Sequence, residues 1–346
     1  MLRGKPLLGI SIGDPSGIGP EICIKALSRS HIYDKAIPVV YADQIVLEDA
    51  LEVTGRDFIL HKCEQPSDAL GLSGTIDFID CGIISGRDEY QYSTVGEKSG
   101  EASFQYVVRA IAHAMEGKIS AVVTGPINKE AINLAGHQYP GHTEIFAHYT
   151  GTQDFGMLLS GGGLNVIHCT THVSMREACE LITKEKVLKT IQLADKALRL
   201  MGKGRGRIAV AGLNPHASER GLFGDEEERA IIPAIEAARA QGLDVTGPLP
   251  PDTVFVRALG GQADLVVAMY HDQGHIPLKL LGFRMDPSTG LYADMSGINA
   301  TIGLPIIRLS VDHGTAFGKA GKNQANEGSL VDAINMAITF AENWEN

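Results

Sequence analysis

Residues 264–271 have the sequence DLVVAMYH, a short apolar run that ends directly in a histidine. Residues 165–169 and 207–213 are two similar runs, and His172 and His216 follow them closely in the chain. Short runs rich in Val, Ile and Leu are typical of strands buried on both faces of a sheet. Ligands of open α/β sheets bind outside the carboxyl ends of the strands, so the three imidazoles predict a common site.

The rest of the chain alternates between apolar runs and amphipathic segments. Three further buried strands are expected, at residues 7–12, 37–41 and 121–124. Apolar periodicity and capping residues predict four helices, one over residues 104–115 and three that begin at Thr183, Asp225 and Ser329. Strand–helix alternation of this kind predicts an α/β protein with a largely parallel sheet.

Composition narrows the class of partner. The 346 residues suit two domains, and a formal net charge of −11 argues against binding to nucleic acid or to an anionic membrane. The five cysteines form no CxxC pair, which fits reduced thiols. No signal peptide and no apolar run of about 20 residues is evident, so we expect a soluble cytoplasmic protein.

Three histidines at strand ends suggest a metal centre. Neutral imidazole is the commonest protein ligand of zinc, and three protein ligands with one open position is the catalytic arrangement. Each histidine alone could equally close its strand by bonding a backbone carbonyl. For His172, His216 and His271 together, the sequence favours a metal, with Asp272 orienting the ring of His271 or acting as a base.

Several polar residues are candidates for binding an anion. Residues 141–144 (GHTE) open an apolar segment, and His142 and Thr143 there suit an anionic ligand, although Thr143 could be an ordinary helix cap. Lys279 lies among leucines, and Arg308 lies on an expected buried strand. A buried cation needs a partner, which is either a ligand carboxylate or phosphate or one of the chain's own acids.

The glycine-rich stretches do not form a standard dinucleotide motif. Residues 13–21 (GDPSGIGPE) follow a strand but match neither GxGxxG nor a Walker loop. The glycines of residues 202–206 precede a strand and predict a turn. The best candidate for a dinucleotide loop is residues 313–316 (HGTA) with Gly321 and Asn326, where small residues allow close approach to the backbone.

Taken together, these motifs resemble the 4-hydroxythreonine-4-phosphate dehydrogenase (PdxA) family. The matching segments are residues 13–21 (GDPSGIGPE), 124–129 (TGPINK), 141–144 (GHTE), 171–172 (TH), 213–217 (LNPHA), 247–253 (GPLPPDT), 270–274 (YHDQG), 299–305 (NATIGLP) and 310–316 (SVDHGTA). The likeness spans nearly the whole chain in order.

The resemblance implies a two-domain α/β/α fold like that of the isocitrate and isopropylmalate dehydrogenases. It implies a homodimer with active sites in the interdomain cleft at the dimer interface. The expected first domain comprises residues 1–135 and 305–346, and the expected second domain comprises residues 136–304.

The resemblance also assigns site residues. It makes His172, His216 and His271 the metal ligands, contributed by both subunits, with zinc as the first choice and magnesium or cobalt as alternatives. The implied substrate-binding residues are His142, Thr143, Lys279, Asn299 and Arg308, with Asp272 and Lys279 as catalytic candidates. The implied cofactor loop, for NAD or NADP, contains His313, Gly314, Thr315, Ala316, Gly321 and Asn326.

The implied reaction is oxidation of the C3 hydroxyl of a 4-phosphorylated four-carbon acid, followed by loss of CO2. Residues 136–140, 221–227 and 275–283 look more like the catabolic branch, which acts on 4-phospho-D-threonate or 4-phospho-D-erythronate. The alternative is the biosynthetic branch of pyridoxal phosphate synthesis, which acts on 4-phosphohydroxy-L-threonine. Alternatives of another class are a metal-dependent lyase or hydrolase without nicotinamide, and a non-catalytic binding protein.

Two departures from the family pattern bear on the site. Residues 284–296 form a longer connection than is typical, between two expected substrate residues. In the expected cofactor loop, Gly318 and Lys319 replace the usual Asp-Ile, which leaves the choice between NAD and NADP open.

Overall fold

The computed structural model describes residues 4–285, 287, 292–295 and 297–344. The chain divides into two compact units. The first unit comprises Met1–Gln153 and Leu304–Glu342, and the second comprises Asp154–Gly303 and Asn343–Asn346. The extended connection expected at residues 284–296 lies partly outside the described residues, at 286, 288–291 and 296.

The first 153 residues alternate between strands and helices. The strands are β1 (Leu7–Ser11), β2 (Ile37–Ala42), β3 (Ile59–Lys62), β4 (Thr75–Asp80) and β5 (Ala121–Thr124). The helices are α1 (Gly19–Leu27), α2 (Ser30–Lys35), α3 (Gln44–Thr54), α4 (Glu97–Met115), α5 (Lys129–Leu134) and α6 (His142–Thr150).

Residues 154–303 form the second unit's elements. The strands are β6 (Gly156–Gly161), β7 (Leu164–His168), β8 (Ile208–Ala211), β9 (Val245–Leu249), β10 (Leu265–Ala268), β11 (Phe283–Met285), β12 (Tyr292–Met295) and β13 (Ile298–Ile302). The helices are α7 (Met175–Leu181), α8 (Lys184–Leu200), α9 (Ile232–Ala240), α10 (Val254–Leu259) and α11 (His271–Gly282). The chain then returns to the first unit with β14 (Ile307–Val311) and α12 (Gly328–Glu342).

The first unit has a parallel sheet, as the alternation of strands and helices predicts. Its strands follow the order β3-β4-β2-β1-β5-β14, and every neighbouring pair is parallel. All residues of β1, β2, β5 and β14 are buried. Helix α4 packs on β1 and β2, and α12 packs on β14 and β5. Burial on both faces explains why these strands are almost continuously apolar in the sequence.

The second unit's sheet is mixed rather than parallel throughout. Its strands follow the order β13-β6-β7-β10-β8-β9, with antiparallel pairs between β13 and β6 and between β6 and β7. Two glycines with positive φ, Gly162 (59°) and Gly163 (83°), form the turn between β6 and β7. A two-residue turn with both φ values positive matches the twist of a hairpin, which accounts for the antiparallel pair.

The strands that precede the three candidate metal ligands are neighbours in this sheet. Strand β10 pairs in parallel with β7 on one side and with β8 on the other. Because neighbouring parallel strands run in one direction, their carboxyl ends lie at the same edge of the sheet. His172, His216 and His271 therefore follow strands that end at a common edge, as the sequence predicts.

Helix starts differ from the expectations in three places. Helix α4 begins at Glu97, well before the start expected at residue 104. The helix expected from Asp225 begins instead with a π-helical turn, Glu227–Ile231, before α9. The last helix begins at Gly328, so Ser329 lies inside its first turn. There the Ser329 hydroxyl accepts a hydrogen bond from the Asp312 amide at 3.3 Å, which links the start of the helix to the residue after β14.

Candidate functional site

His172 and His271 line the same cavity of the second unit. The cavity has a volume of about 480 Å³ and is lined by Thr171, His172, Val173, Ser174, Met175, Glu177, Ala178, Tyr270, His271 and Asp272. The ring centroids of His172 and His271 are 5.6 Å apart. Since zinc–imidazole bonds are about 2 Å long, two rings at this separation can reach one ion. The structure of one chain thus brings two of the three predicted ligands together.

Asp272 contacts the neighbouring predicted ligand. Its Oδ1 lies 2.6 Å from Nδ1 of His271, and the hydrogen bond lowers the pKa of the exposed Asp272 carboxyl. A carboxylate on one ring nitrogen fixes the tautomer and leaves the other nitrogen, Nε2, for a metal. This geometry supports the orienting role that the sequence suggests for Asp272.

Two further histidines lie beside His271, and the sequence reasoning missed them. The His275 ring stacks on the His271 ring with centroids 3.6 Å apart, and the His168 ring lies 4.8 Å from the His275 ring. Burial lowers the pKa of His168 to about 4 and that of His275 to about 3, so both rings are neutral near pH 7. The only sequence signal was spacing, because His275 lies one helical turn after His271 on α11.

His216 lies on a strained loop that is anchored by a buried acid. Residues 216–220 all have φ between 46° and 68°, which is the left-handed region. The buried Glu227 accepts hydrogen bonds from the Leu213 and Asn214 amides, both at 2.8 Å, and so anchors the start of this loop. The acidic run expected to complement a helix dipole therefore holds the loop that carries His216.

The three predicted ligands do not converge in the part of the chain that the structure describes. Among those residues, the one group whose ligand atoms all lie within 4.8 Å of one another is His61, Cys63 and Asp77. Its atoms already bond each other and the chain. Asp77 Oδ1 lies 2.7 Å from His61 Nδ1, and the Asp77 carboxylate also accepts from the Gly71 amide at 2.8 Å. An ion could bind this group only by displacing bonds that hold the turn before β4.

The first unit contains a buried cation beside two further predicted substrate residues. Arg308 on β14 is 3% exposed, its Nη2 lies 3.3 Å from Thr124 Oγ1, and its guanidinium lies 5.5 Å from the Phe146 ring. Burial lowers the pKa of Arg308 to about 10, although the charge of Glu144 acts in the opposite direction. Burial thus disfavours the charged form of Arg308, and a bound anion would favour it.

His142 and Thr143 lie in the first turn of α6, in the same unit. The residue before the helix is Gly141, and no side chain caps the first turn. The alternative of an ordinary threonine cap is therefore wrong. His142 Nε2 is buried and has no hydrogen-bond partner within the described ranges, while burial, Arg308 and Lys129 hold the pKa of His142 well below its usual value. A neutral imidazole with an unused nitrogen is suited to a polar ligand.

Lys279 and Asn299 belong to the second unit. The Lys279 ammonium lies 5.6 Å from the Phe283 ring. The neighbouring Leu280 is 80% exposed, so within one chain the leucines next to Lys279 do not bury its side chain. Asn299 lies on β13, and its Oδ1 is buried without a hydrogen-bond partner within the residues described. An orphaned amide oxygen is costly, which marks Asn299 as a ligand candidate.

The predicted cofactor loop is open on one side and packed on the other. A side chain added at Gly314 or Gly318 would meet no atom within 4 Å. On the packed side, the Ile18 amide donates to the Thr315 carbonyl at 3.0 Å, which joins the loop to the GDPSGIGPE segment. The open glycine backbone fits close approach of a flat ligand.

The GDPSGIGPE segment is a tight turn that only small residues allow. At Gly19, a Cβ atom would lie 1.9 Å from the Ile12 carbonyl oxygen, and at Gly13, where φ is 81°, 2.3 Å from that of Pro126. Asp14 at the centre of the turn is fully buried, and its Oδ1 accepts from the Ser16 amide at 2.8 Å. These contacts join the turn to the end of β5.

We expect Asp14→Asn to change how stability depends on pH. Burial raises the pKa of the Asp14 carboxyl from 3.8 to about 6. The folded protein therefore retains this proton to higher pH than the unfolded chain, and ionisation costs stability as the pH rises through the window between those values. The variant should gain about 3 kcal/mol in unfolding free energy relative to the wild type between about pH 4 and pH 7.

Urea unfolding of both proteins across that range measures the difference. Asn keeps the oxygen that accepts from Ser16, so the turn is preserved in the variant. Asp34→Asn, at an exposed position on α2, is the matched control. A difference between variant and wild type that stays constant with pH would contradict the prediction.

Comparison with known proteins extends over the whole chain. A sequence model of the family described as "Pyridoxal phosphate biosynthetic protein PdxA" matches residues 34–337. A protein from Cupriavidus necator named D-threonate 4-phosphate dehydrogenase is 45% identical over 337 residues, which cover 97% of each chain. The crystal structure of a 4-hydroxythreonine-4-phosphate dehydrogenase from Klebsiella pneumoniae has 44% identity and a TM-score of 0.86, with 99% of each chain covered.

A more distant structure shares the fold and most of its length. It is a terephthalate 1,2-cis-dihydrodiol dehydrogenase from Burkholderia xenovorans, with 30% identity, a TM-score of 0.68 and coverage of 97% of this chain and 98% of its own. These relatives are named dehydrogenases, so the chain is an oxidoreductase with a mixed α/β fold. Within that class, the chain belongs to the PdxA family. In the part of the chain that is described, no helix is long and apolar enough to cross a membrane.

Proposed function

We propose that this chain oxidises the C3 hydroxyl of a 4-phosphorylated four-carbon hydroxy acid, with NAD or NADP and a divalent metal, and that the product then loses CO2. The observation that carries the proposal is the buried Arg308 beside the neutral His142, which forms a site for an anionic group. The D-threonate 4-phosphate dehydrogenase of Cupriavidus necator, similar over 97% of this chain, supports a phosphorylated acid as the substrate.

In this proposal the chain's own residues hold the two anionic ends of the substrate. Arg308 supplies a charge in a low-dielectric setting, where pairing with phosphate or carboxylate is strong. His142 offers an unused ring nitrogen and Thr143 a hydroxyl at the start of α6. Lys279 and Asn299, both in the second unit, are further proposed substrate residues. Lys279 is a cation, and the buried Asn299 Oδ1 could accept a hydrogen bond from a substrate hydroxyl.

The proposed metal ligands are His172, His216 and His271, with Asp272 orienting His271. The donor set fits a borderline ion such as zinc, because His172 and His271 line one cavity and Asp272 leaves Nε2 of His271 available. When bound, a divalent ion would lower the pKa of the substrate hydroxyl and stabilise the negative charge that loss of CO2 leaves on the substrate. The convergence of His216 with the other two, and its supply from a second subunit, stay predictions.

The proposed dinucleotide loop runs from His313 to Asn326. When bound, the nicotinamide ring would accept hydride from the substrate carbon. The open backbone at Gly314 and Gly318 would lie against the cofactor, while Thr315 is tied to the GDPSGIGPE turn. Lys319 adds positive charge to the loop, and either NAD or NADP is compatible with it.

A homodimer is part of the proposal. Two apolar side chains on α11, Ile276 and Leu280, are 65% and 80% exposed, and Val256 on α10 is 69% exposed. Apolar side chains exposed on neighbouring residues of a helix suit burial against a second copy of the chain. Lys279 lies between these residues, so the same contact would bring this cation into the assembly's interior.

Activity with a panel of substrates tests the proposed function. The panel contains 4-phospho-D-threonate, 4-phospho-D-erythronate and 4-phosphohydroxy-L-threonine, each with NAD and with NADP in the presence of a divalent metal. We expect reduced cofactor, CO2 and a three-carbon phosphoketone in equal amounts from a D-threonate or D-erythronate ester. Preference for 4-phosphohydroxy-L-threonine would assign the biosynthetic branch instead. Product without cofactor reduction would favour a metal-dependent lyase and contradict the proposal.

A further inference from the structure

Helix α1 carries two charged side chains that form hydrogen bonds with the backbone of the predicted cofactor loop. The bonded segment follows the HGTA stretch of that loop. Glu21 and Lys25 are one helical turn apart on α1, so they lie on the same face. The segment they contact, residues 321–325, contains Gly321 and directly precedes Asn326, both predicted cofactor residues. All of these residues belong to the first unit.

Glu21 accepts a hydrogen bond from the first amide of this segment. The Gly321 amide donates to Glu21 Oε1 at 2.5 Å, while Glu21 Oε2 is buried and has no hydrogen-bond partner among the described residues. Glu21 is fully buried. Burial raises the pKa of the Glu21 carboxyl, and the hydrogen bond from the Gly321 amide acts in the opposite direction.

Lys25 holds the carbonyls of the same segment. Its ammonium donates to the Asn323 carbonyl at 3.1 Å and to the Ala325 carbonyl at 2.8 Å. Two residues past the helix, Arg29 forms an ion pair of 2.6 Å with the Glu327 carboxylate. Glu21 bonds one amide of this segment and Lys25 bonds two of its carbonyls, and these bonds stand in for some of those that a helix or strand would provide.

Two features restrict the backbone of this segment. Asn323 has a φ of 55°, and Gly321 has a φ of 73°, so the backbone adopts left-handed conformations twice within three residues. At Gly321, a Cβ atom would lie 2.7 Å from the Tyr92 ring. A strained backbone of this kind persists only where the surroundings fix it.

We propose that Glu21 and Lys25 are positioning residues that fix residues 321–326 in the conformation able to bind the dinucleotide. This inference rests on the proposed function, in which that segment meets NAD or NADP. Neither side chain needs to touch the cofactor. If a loop adopts its binding-competent conformation for only a fraction of the time, its apparent affinity for the ligand is reduced to that fraction of the intrinsic affinity.

The test compares Lys25→Met, Lys25→Arg and Glu21→Gln with the wild type. The dissociation constants for NAD and NADP are measured by calorimetry on the full chain, and KM is measured separately for the dinucleotide and for the phosphorylated acid. We expect Lys25→Met to raise the dissociation constant and KM for the dinucleotide by about 10-fold, as for a loop that is competent about a tenth of the time. KM for the acid and kcat at saturating dinucleotide should stay within about 2-fold, since the segment acts only in cofactor binding.

The variants separate positioning from general loss of structure. Lys25→Arg keeps a donor for the two carbonyls and should restore most of the affinity, whereas Glu21→Gln keeps one acceptor oxygen and should fall between Lys25→Met and the wild type. Lys35→Met, at an exposed position on α2, is the control and should leave the dinucleotide dissociation constant unchanged. Equal loss for both substrates in Lys25→Met, or no loss for either, would overturn the inference.

The wild-type measurement separates this inference from the function on which it rests. If the wild type binds NAD or NADP and Lys25→Met binds it equally well, the inference fails and the proposed function stands. If the wild type with a divalent metal binds neither dinucleotide, both fail together.

Discussion

Replacement of Arg308 by methionine should lower kcat/KM for the phosphorylated acid by about 10²–10³-fold, because truncating one partner of a buried charge pair costs about 3–4 kcal/mol. Arg308 is 3% exposed, so solvent and salt screen its charge poorly. Methionine keeps an apolar stem next to Phe146, whose ring lies 5.5 Å from the guanidinium. The variant should therefore fold, and its loss should reflect the missing cation.

Steady-state kinetics with the preferred substrate measure this effect, with unfolding curves to confirm the fold. Arg308→Lys keeps the charge but not the planar fork, and we expect a smaller loss, of about 10-fold. Arg56→Met, at an exposed position after α3 in the same unit, is the matched control. If Arg308→Met turns over the phosphorylated acid as the wild type does, Arg308 does not bind the substrate.

Replacement of His271 by alanine should yield protein that purifies with little bound divalent metal and has a kcat lower by about 10³-fold. His271 lines the cavity with His172, and the ion that these rings would hold supplies much of the charge stabilisation in the proposed reaction. Asp272→Asn should have a milder effect, with a metal affinity about 10–100-fold lower, because Asp272 acts through the ring of His271.

Metal content measured by mass spectrometry gives a readout that does not depend on activity. His31→Ala, at an exposed position on α2, should retain the metal and serves as the control. Unchanged metal content in His271→Ala would remove His271 from the ligand set. A larger metal loss in Asp272→Asn than in His271→Ala would show that Asp272 is itself a ligand.

The sequence was most informative where burial dictates residue type. The strands before His172, His216 and His271 are buried on both faces, so their apolar runs predict β7, β8 and β10 to within a few residues. In the structure these strands are parallel neighbours, so their carboxyl ends lie at one edge of the sheet, as the sequence pattern predicts. The buried Arg308 was recognisable for the same reason, as a charge within an apolar strand.

Long-range contacts were not predictable in this way. The stacked rings of His275 and His271 on α11 lie next to His168 on β7. A local sequence pattern does not indicate which strand a helix packs against. Strand β6 was not predicted, because its residues form no continuous apolar run and the signal for it is the two-residue turn of Gly162 and Gly163.

The domain division shows a further limit of sequence patterns. Helix α6 was expected in the second domain, whereas the structure places it in the first unit, where it packs against α4. The choice between the two units depends on which surface covers the apolar side of the helix. Phe146 is fully buried in the first unit, but an apolar residue in the sequence does not indicate which unit's surface buries it.

The return of the chain to the first unit has a consequence for synthesis on the ribosome. Strand β14 pairs with β5, and α12 packs on both strands, yet these elements are translated after every strand of the second unit. The nascent chain therefore carries a first unit with an unpaired β5 edge throughout the synthesis of residues 154–303. An unpaired strand edge can form hydrogen bonds with the wrong strand or with another chain. We therefore expect this protein to depend most on protection from aggregation in the interval before β14 emerges.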